Sequence, residues 1–129
     1  GPDLGAEMFV DTVAKKLGAE KVLFEKKRDL NNGEVSIKAD ADFRGREVIL
    51  IDDIVSSGST MLTAIALCKK AGAKKIFCAV VHIVSQKGIE AISPLVDKFV
   101  ACNTIHSDIS VIPVEKKIAE KIKSLEKKI

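Results

Sequence analysis

The 129-residue sequence contains no tryptophan and no tyrosine, and only five phenylalanines. Aromatic side chains provide the stacking platforms of many proteins that bind single-stranded nucleic acid, so their scarcity argues against that class of function. The charge balance agrees, because 21 Lys and Arg residues against 18 Asp and Glu residues leave a net charge of only +3. We therefore predict no nucleic-acid partner, although a small positive excess suits a phosphorylated ligand.

Long apolar runs are also missing, since no stretch approaches the roughly 20 residues that a membrane span requires. The sequence does not open with a charged segment followed by an apolar one, so no signal peptide is indicated. From these features we predict no membrane partner and a cytoplasmic location.

The three cysteines, Cys68, Cys78 and Cys102, lack the C-x-x-C spacing of zinc and redox sites, and we interpret them as reduced core residues.

The composition that is present is that of a globular domain. Hydrophobic residues make up 47% of the chain and charged residues 30%. The length suits one hydrophobic core, and neither a repeat nor a linker divides the sequence. Residues 1–129 are therefore predicted to form a single domain.

The first third of the chain predicts a helix and a small hairpin. A helical stripe of apolar residues extends from about residue 4 to residue 17. A strand is expected from Lys21 to Lys27, followed by a turn at residues 31–33 and a second short strand that contains Val35 and Ile37. Together these strands would form a β-flap.

The rest of the chain predicts alternating strands and helices. Residues 48–51 form an unbroken aliphatic run, the pattern of a central parallel strand covered on both faces, and the strand is expected to end at Asp52 and Asp53. The following elements are predicted as a helix closed by Gly72, a strand at residues 76–83, a helix capped by Ser85, a strand at residues 99–102 and a packed terminal helix with a solvated exterior. This order predicts a three-layer α/β fold, with a parallel sheet flanked by helices.

A polar loop follows the acidic pair and is the strongest candidate site. It consists of Ser56, Ser57, Gly58, Ser59 and Thr60. Such a loop can direct backbone N–H groups towards one point at a helix N-terminus, which favours an anion such as phosphate. Asp52 and Asp53 are acceptors suited to sugar hydroxyls or to a hydrated magnesium ion, and they would have to face away from the phosphate. From residue types alone, an alternative stays open, namely that these residues only cap the next helix.

The segment from Val48 to Thr60 as a whole is similar to the phosphoribosyl-pyrophosphate motif of the type I phosphoribosyltransferase-like fold. A nucleotide P-loop is excluded because the Gly-Lys-Ser/Thr ending is missing. Further stretches, in the same order along the chain, resemble the carboxyl-terminal half of the ribose-phosphate pyrophosphokinase family. These stretches are residues 2–6, Glu25 to Arg28, Gly45-Arg46 and Asn103-Thr104-Ile105.

The resemblance implies a reaction and a set of roles. Members of that family transfer a diphosphoryl group from ATP to the anomeric hydroxyl of ribose 5-phosphate. By position, Lys26 and Arg28 correspond to the basic pair on the catalytic flap, and cations there would stabilise the developing negative charge. The loop would hold the 5-phosphate, and the two aspartates would hold the ribose diol. Asp3 corresponds to an aspartate associated with Mg²⁺.

The resemblance also implies features beyond this chain. Family members have two similar domains and assemble into homo-oligomers, so an amino-terminal domain with most of the ATP site is expected in addition to this one. One departure affects the phosphate loop, where Ser56, Ser57, Gly58 and Ser59 replace an Asp, or a Thr followed by paired glycines. This departure puts the affinity for phosphate in doubt more than the identity of the site.

Two other functions remain open at the level of sequence. One is a type I phosphoribosyltransferase, although no segment resembles the hood that recognises the nucleobase in such enzymes. The other is a non-catalytic regulatory module that retains the ribose-phosphate site. His82 ends a predicted buried strand and His106 lies in a loop, and we assign neither a role.

Overall fold

The computed structural model describes residues 7–38 and 41–127. Asp3 and the first residues of the helix predicted from residue 4 lie outside these ranges. The elements in chain order are α1 (Glu7–Leu17), β1 (Glu25–Arg28), β2 (Val35–Lys38), β3 (Glu47–Val55), α2 (Ser59–Lys70), β4 (Lys75–Ile83), α3 (Gln86–Ile92), a 3₁₀ turn (Ser93–Leu95), β5 (Lys98–Cys102), β6 (Ser110–Ile112) and α4 (Glu115–Glu126).

The main sheet is parallel and four-stranded, with the strand order β3-β4-β5-β6. Leu50 lies opposite Cys78, which in turn lies opposite Phe99. Parallel neighbours need long crossovers, and α2 and α3 provide them between β3 and β4 and between β4 and β5. The prediction of an α/β fold with a parallel sheet flanked by helices is confirmed.

The core lies between the sheet and its helices. Ile76, Cys78 and Val80 on β4 are buried and alternate with half-buried residues, as expected for one face of a strand. The buried side of α2 belongs to the same cluster and consists of Met61, Ala64, Ile65 and Cys68. Burial of an aliphatic side chain of this size contributes about 1.5–3 kcal/mol. This packing fixes the start of α2 relative to the end of β3.

The interpretation of the cysteines as reduced core residues is confirmed for Cys68 and Cys78, which are buried and free. Burial raises the pKa of the Cys68 thiol to about 11 and that of Cys78 to about 12. Both thiols therefore stay protonated at neutral pH, which makes them poor nucleophiles. Cys102 is also free but only half-buried.

The hairpin forms, but its first strand is shifted from the prediction. The strand expected from Lys21 to Lys27 begins only at Glu25, which pairs with Lys38 of β2. Val22 to Phe24 is not a strand. The prediction was wrong for residues 21–24. An apolar run predicts that a segment is extended, but it does not predict which strand that segment pairs with.

Two further predictions are corrected at the ends of elements. β3 continues past Asp52 and Asp53 to Val55, so the acidic pair lies inside the strand.

α4 was expected to be packed, yet none of its residues is buried, and Ile118, Ile122 and Leu125 are 55%, 52% and 48% exposed. Periodicity identifies the apolar face of a helix but not what covers it. The sequence also did not predict β6.

Within the described part of the chain, no helix has both the length and the apolar character needed to cross a membrane.

Candidate functional site

Asp52 and Asp53 lie at the carboxyl-terminal end of β3, where parallel sheets bind ligands. Asp52 is only 7% exposed, whereas Asp53 is exposed. One oxygen of each carboxylate accepts a backbone hydrogen bond, from Asp53 N to Asp52 and from Ile54 N to Asp53, both at 2.8 Å. These bonds fix the carboxylates close to the backbone, so the pair is oriented before any ligand arrives.

The loop after β3 turns sharply at Gly58, which has φ 89° and is buried. A left-handed conformation of this kind favours glycine, because other residues have a Cβ that is crowded there. Gly58 is the N-cap residue of α2 and provides no side-chain capping hydrogen bond. The N-cap residue therefore leaves the N–H groups of the first turn without the side-chain partner that such a residue usually supplies.

The hydroxyl groups of the loop are only weakly engaged with each other. Ser57 Oγ lies 3.4 Å from both Ser59 Oγ and Ser59 N, which is long for a hydrogen bond. Ser56, Ser57 and Ser59 are exposed, and Thr60 is half-buried. Hydroxyl groups in this state can rotate to donate to an incoming anion.

The acidic pair and the loop line one cleft of about 300 Å³, formed by the ten consecutive residues from Asp52 to Met61. This volume is at the lower end of the range for small-molecule sites, which is roughly 300–1,000 Å³. The structure thus brings together all seven residues that the sequence predicted for substrate binding. Acceptors lie at one end of the cleft and a helix N-terminus at the other.

Two residues that sequence analysis did not assign to the site support the loop from α3. Ser85 Oγ donates to the carbonyl of Ser56 at 2.6 Å and accepts from Gly88 N at 3.1 Å. A Cβ at Gly88 would lie 2.5 Å from the same Ser56 carbonyl oxygen, so only glycine allows this approach. Ser85 was predicted as a helix cap, which is confirmed, but nothing in its sequence context indicates the second contact.

The predicted flap is the β1–β2 hairpin. Its turn is held by Asn31 N donating to Asp29 Oδ1 and by Glu34 N donating to Asn32 Oδ1, both at 2.8 Å. β2 lies against α2, the helix that starts at the loop. Arg28 is exposed at the end of β1, whereas the side chain of Lys26 is outside what the structure describes. The hairpin and the loop are therefore positioned by the same helix.

His82 is held by the chain itself. Thr104 Oγ1 donates to the Val81 carbonyl at 3.1 Å and lies 2.7 Å from His82 Nδ1. Because the hydroxyl has one hydrogen, which it gives to the carbonyl, it accepts from an Nδ1–H of the imidazole. This arrangement ties the end of β4 to the loop after β5. His106 is exposed.

Comparison with known proteins agrees with this geometry. The family model of the phosphoribosyl transferase domain matches residues 1–121. Ribose-phosphate pyrophosphokinase from Thermococcus kodakarensis is 41% identical over 115 residues, which are 88% of this chain and 41% of that protein. The protein of the same name from Sulfolobus acidocaldarius is 36% identical over 128 residues, 94% of this chain and 44% of that protein. The chain thus spans about two-fifths of the length of these relatives.

Solved structures share the fold. Phosphoribosylpyrophosphate synthetase from Mycobacterium smegmatis superposes with a TM-score of 0.78 at 22% identity, covering 99% of this chain and 44% of that one. APRTase from Giardia lamblia, complexed with 9-deazaadenine, superposes with a TM-score of 0.60 at 25% identity, covering 70% of this chain and 59% of that one. The type I phosphoribosyltransferase-like fold is confirmed, and so is the resemblance to the pyrophosphokinases. With a family model that matches nearly its whole length, this chain belongs to the phosphoribosyl transferase domain family.

Proposed function

We propose that this chain supplies the ribose 5-phosphate site of a ribose-phosphate diphosphokinase. That enzyme transfers the pyrophosphoryl group of ATP to the anomeric hydroxyl of ribose 5-phosphate and gives phosphoribosyl pyrophosphate and AMP. The observation that carries the proposal is the helix α2, which starts without a side-chain cap directly beyond an acidic pair in the same cleft. The names of the longer relatives support the choice of reaction.

The phosphate is proposed to bind at the start of α2. Unpaired N–H groups and the positive end of the helix dipole both favour an anion there. The buried Gly58 leaves the backbone accessible, and the Ser57 and Ser59 hydroxyls add donors. The Ser56 carbonyl would repel a phosphate, but its hydrogen bond from Ser85 holds it in place on the α3 side.

The ribose is proposed to bind over Asp52 and Asp53. Both carboxylates accept a backbone N–H bond, and an ionised carboxylate is an acceptor that suits the hydroxyl groups of a sugar. Adjacent ribose hydroxyls are a matching pair of donors. The acids are separated from the start of α2 by Ile54 to Gly58, which keeps their negative charge away from the phosphate.

Lys26 and Arg28 are proposed to act from the hairpin. Transfer of a diphosphoryl group spreads negative charge over several oxygens, and positioned cations stabilise that charge. The contact between β2 and α2 supports this role because it holds the hairpin beside the helix that binds the phosphate.

Mg²⁺ is the proposed cofactor, and Asp3 is one proposed ligand. Among the described residues, no group of three or more His, Cys, Asp or Glu side chains could hold a metal ion. Mg²⁺ is usually held by one or two carboxylates together with substrate phosphates and water, so a single carboxylate such as that of Asp3 is a suitable protein ligand for it. When bound with ATP, Mg²⁺ would neutralise phosphate charge, while Asp52 and Asp53 orient the sugar that receives the diphosphoryl group.

The same proposal covers the wider organisation of the protein. Residues 1–129 form one phosphoribosyltransferase-like domain, and a further amino-terminal domain supplies most of the ATP site. The relatives support this because they are more than twice as long as the segment they share with this chain. A homo-oligomer is proposed from the family resemblance, and a cytoplasmic location is proposed with it.

Calorimetric titration with ribose 5-phosphate and Mg²⁺ tests the site directly. The double variant Ser57→Ala, Thr60→Ala removes two loop hydroxyls, each worth roughly 0.5–1.5 kcal/mol as a hydrogen-bond donor. Binding is expected to weaken by about tenfold or more. The matched control is Thr12→Ala, Ser124→Ala, which removes the same groups from exposed positions on α1 and α4.

Equal affinities for the two double variants would contradict the assignment of the loop. The reaction is tested separately in the longer protein by following AMP formation from ATP and ribose 5-phosphate. Conversion of phosphoribosyl pyrophosphate and a nucleobase, without AMP formation from ATP, would instead identify a phosphoribosyltransferase.

A further inference from the structure

The backbone that leaves β3 is anchored to the junction of β4 and α3. Val84 N donates a hydrogen bond to the Val55 carbonyl at 3.0 Å. Ser85 Oγ donates to the next carbonyl, that of Ser56, at 2.6 Å. Successive carbonyl groups of a regular strand point in opposite directions. Because these two carbonyls both point to the same junction, the chain departs from strand geometry at Ser56.

The Ser56 carbonyl lies directly against α3. A Cβ added at Gly88 would lie 2.5 Å from the carbonyl oxygen. Ser85 Oγ accepts from Gly88 N at 3.1 Å, so the single hydrogen of this hydroxyl is free to be donated to Ser56. The donated bond is short for its type. The Ser85 hydroxyl thus caps α3 and holds the Ser56 carbonyl at the same time.

This contact fixes the direction of the peptide group that joins Ser56 to Ser57. In a planar trans peptide the C=O and N–H bonds point in opposite directions. Because the carbonyl points at α3, the Ser57 N–H points away from that helix. The ten residues that line the cleft, Asp52 to Met61, all precede α3 in the chain. Among the residues that the structure describes, the Ser57 N–H has no hydrogen-bond acceptor.

We propose that Ser85 is a positioning residue for the phosphate loop, which consists of residues 56–60. By holding the Ser56 carbonyl against α3, its hydroxyl directs the Ser57 N–H at the bound phosphate and keeps the carbonyl oxygen away from it. A backbone N–H that donates to a phosphate makes a charge-assisted hydrogen bond, which is stronger than a neutral one. The inference rests on the proposed ribose 5-phosphate site and adds to it a residue from outside the cleft.

Three substitutions of Ser85 separate this role from that of a helix cap. Alanine loses both the cap and the donor. Glycine is a nearly adequate N-cap but has no hydroxyl group to donate. Threonine retains the cap and the donor, and it suits the extended backbone of Ser85, which has φ −144° and ψ 143°. If Ser85 were only a cap, glycine would be almost as good as threonine.

Titration of the 129-residue chain with ribose 5-phosphate, followed by NMR, tests the proposal. Ser85→Ala and Ser85→Gly are both expected to weaken binding about tenfold, whereas Ser85→Thr should stay within about twofold of the unmodified chain. The Tm is expected to fall by about 4 °C in Ser85→Ala but by only about 1 °C in Ser85→Gly. Binding would therefore follow the hydroxyl group, while stability would follow the cap.

The Ser57 amide provides a signature that a change in stability alone would not alter. In the unmodified chain and in Ser85→Thr, its proton resonance is expected to move downfield at saturation, because the N–H forms a hydrogen bond to the phosphate. This shift should be much smaller in Ser85→Ala and Ser85→Gly. Inorganic phosphate, used as a second probe, should give the same pattern, since the peptide faces the phosphate rather than the sugar.

Gly45→Ala is the control for lost stability, because Gly45 has φ 71° and no atom lies within 4 Å of its would-be Cβ. Equal loss of binding in Gly45→Ala and Ser85→Ala would attribute the effect to stability and would overturn the proposal.

The outcomes distinguish this inference from the proposed site. If the unmodified chain binds ribose 5-phosphate and Ser85→Gly binds it equally well, the site stands, but Ser85 only caps α3 and the proposal is overturned. A Ser85→Thr variant that binds as weakly as Ser85→Ala would also overturn it. If the unmodified chain binds neither ribose 5-phosphate nor inorganic phosphate, the proposed site and the role of Ser85 are both overturned.

Discussion

At the scale of single residues, Gly58 is the position at which the proposed phosphate loop can be tested most directly. Alanine at φ 89° is strained, and its Cβ would lie 3.3 Å from Ile92 Cδ1. Gly58→Ala is expected to cost about 2 kcal/mol of unfolding free energy and to weaken ribose 5-phosphate binding severalfold. Urea unfolding and calorimetry measure the two effects.

Gly45→Ala is the matched control for Gly58→Ala. Gly45 has φ 71°, but no atom lies within 4 Å of its would-be Cβ. The control is therefore expected to cost about 1 kcal/mol through backbone strain alone and to leave binding unchanged. If both variants weakened binding equally, the effect would arise from global stability rather than from the loop.

The basic pair of the hairpin gives a second residue-scale prediction. In a protein that joins this chain to the proposed amino-terminal domain, Lys26→Ala and Arg28→Ala are each expected to lower turnover by about a hundredfold, as removal of a transition-state donor does. Lys27→Ala is the control, because Lys27 and Arg28 are neighbours in β1 and lie on opposite faces of it. Steady-state AMP formation separates the variants, and near-normal turnover for both Lys26→Ala and Arg28→Ala would remove the assignment.

The residues that line the candidate cleft could be predicted from the sequence, but the residues that support them could not. Asp52, Asp53 and Ser56 to Thr60 are contiguous, so one motif identifies them, and the structure places them around one cleft. Ser85 and Gly88 lie about 30 positions further on and reach the Ser56 carbonyl only because β3 and β4 are neighbours. Contacts of this kind depend on the packing of α3 and have no local sequence signal.

At the scale of elements, α4 is held at its first turn by Asn103. The amide nitrogen of Asn103 donates to Glu115 Oε2 at 2.8 Å, and its amide oxygen accepts from Val114 N at 2.9 Å. The first of these bonds lowers the pKa of Glu115. Val114, the N-cap residue of α4, provides no side-chain cap of its own. Asn103 therefore substitutes for a cap from outside the helix.

Asn103→Ala removes both bonds, and the first turn of α4 is expected to open more often. Losing a cap of this kind costs about 1 kcal/mol, which corresponds to roughly fivefold faster hydrogen exchange at Ile118, whose N–H donates to the Val114 carbonyl, and at the residues that directly follow it. Exchange in β4 is expected to stay unchanged. Ser124→Ala, at an exposed position in the last turn of the same helix, is the control, and equal effects of the two variants would show that Asn103 is not the anchor.

The elements that were predicted well are those with a strong local period. β4, α2 and α3 have the expected type and nearly the expected bounds because one buried face dominates each sequence. β6 was missed because it has three residues and depends on pairing with Ala101 and Cys102. The early part of the predicted strand at Lys21 to Lys27 failed for a related reason, since a strand needs a partner that its own sequence does not specify.

At the scale of the whole molecule, α4 presents an apolar stripe that nothing in the described chain buries. Ile118, Ile122 and Leu125 are spaced by four and three residues, which is the spacing of a coiled-coil seam. In a parallel pair of such helices, Lys121 of one copy and Glu126 of the other would take the flanking positions with opposite charges. The stripe is thus the surface on which the proposed homo-oligomer is most directly tested.

The 129-residue chain is expected to self-associate weakly through α4. Three apolar residues per copy cover far less than the roughly 1,200 Å² of a stable interface, so a Kd of about 100 μM is expected. Ile122→Lys should make the chain monomeric in sedimentation velocity across 10–500 μM, a range chosen to bracket that roughly estimated Kd. Leu30→Lys is the control, since Leu30 is 95% exposed but lies in the hairpin turn. If the unmodified chain is monomeric throughout, the proposed homo-oligomer must form through a surface other than α4.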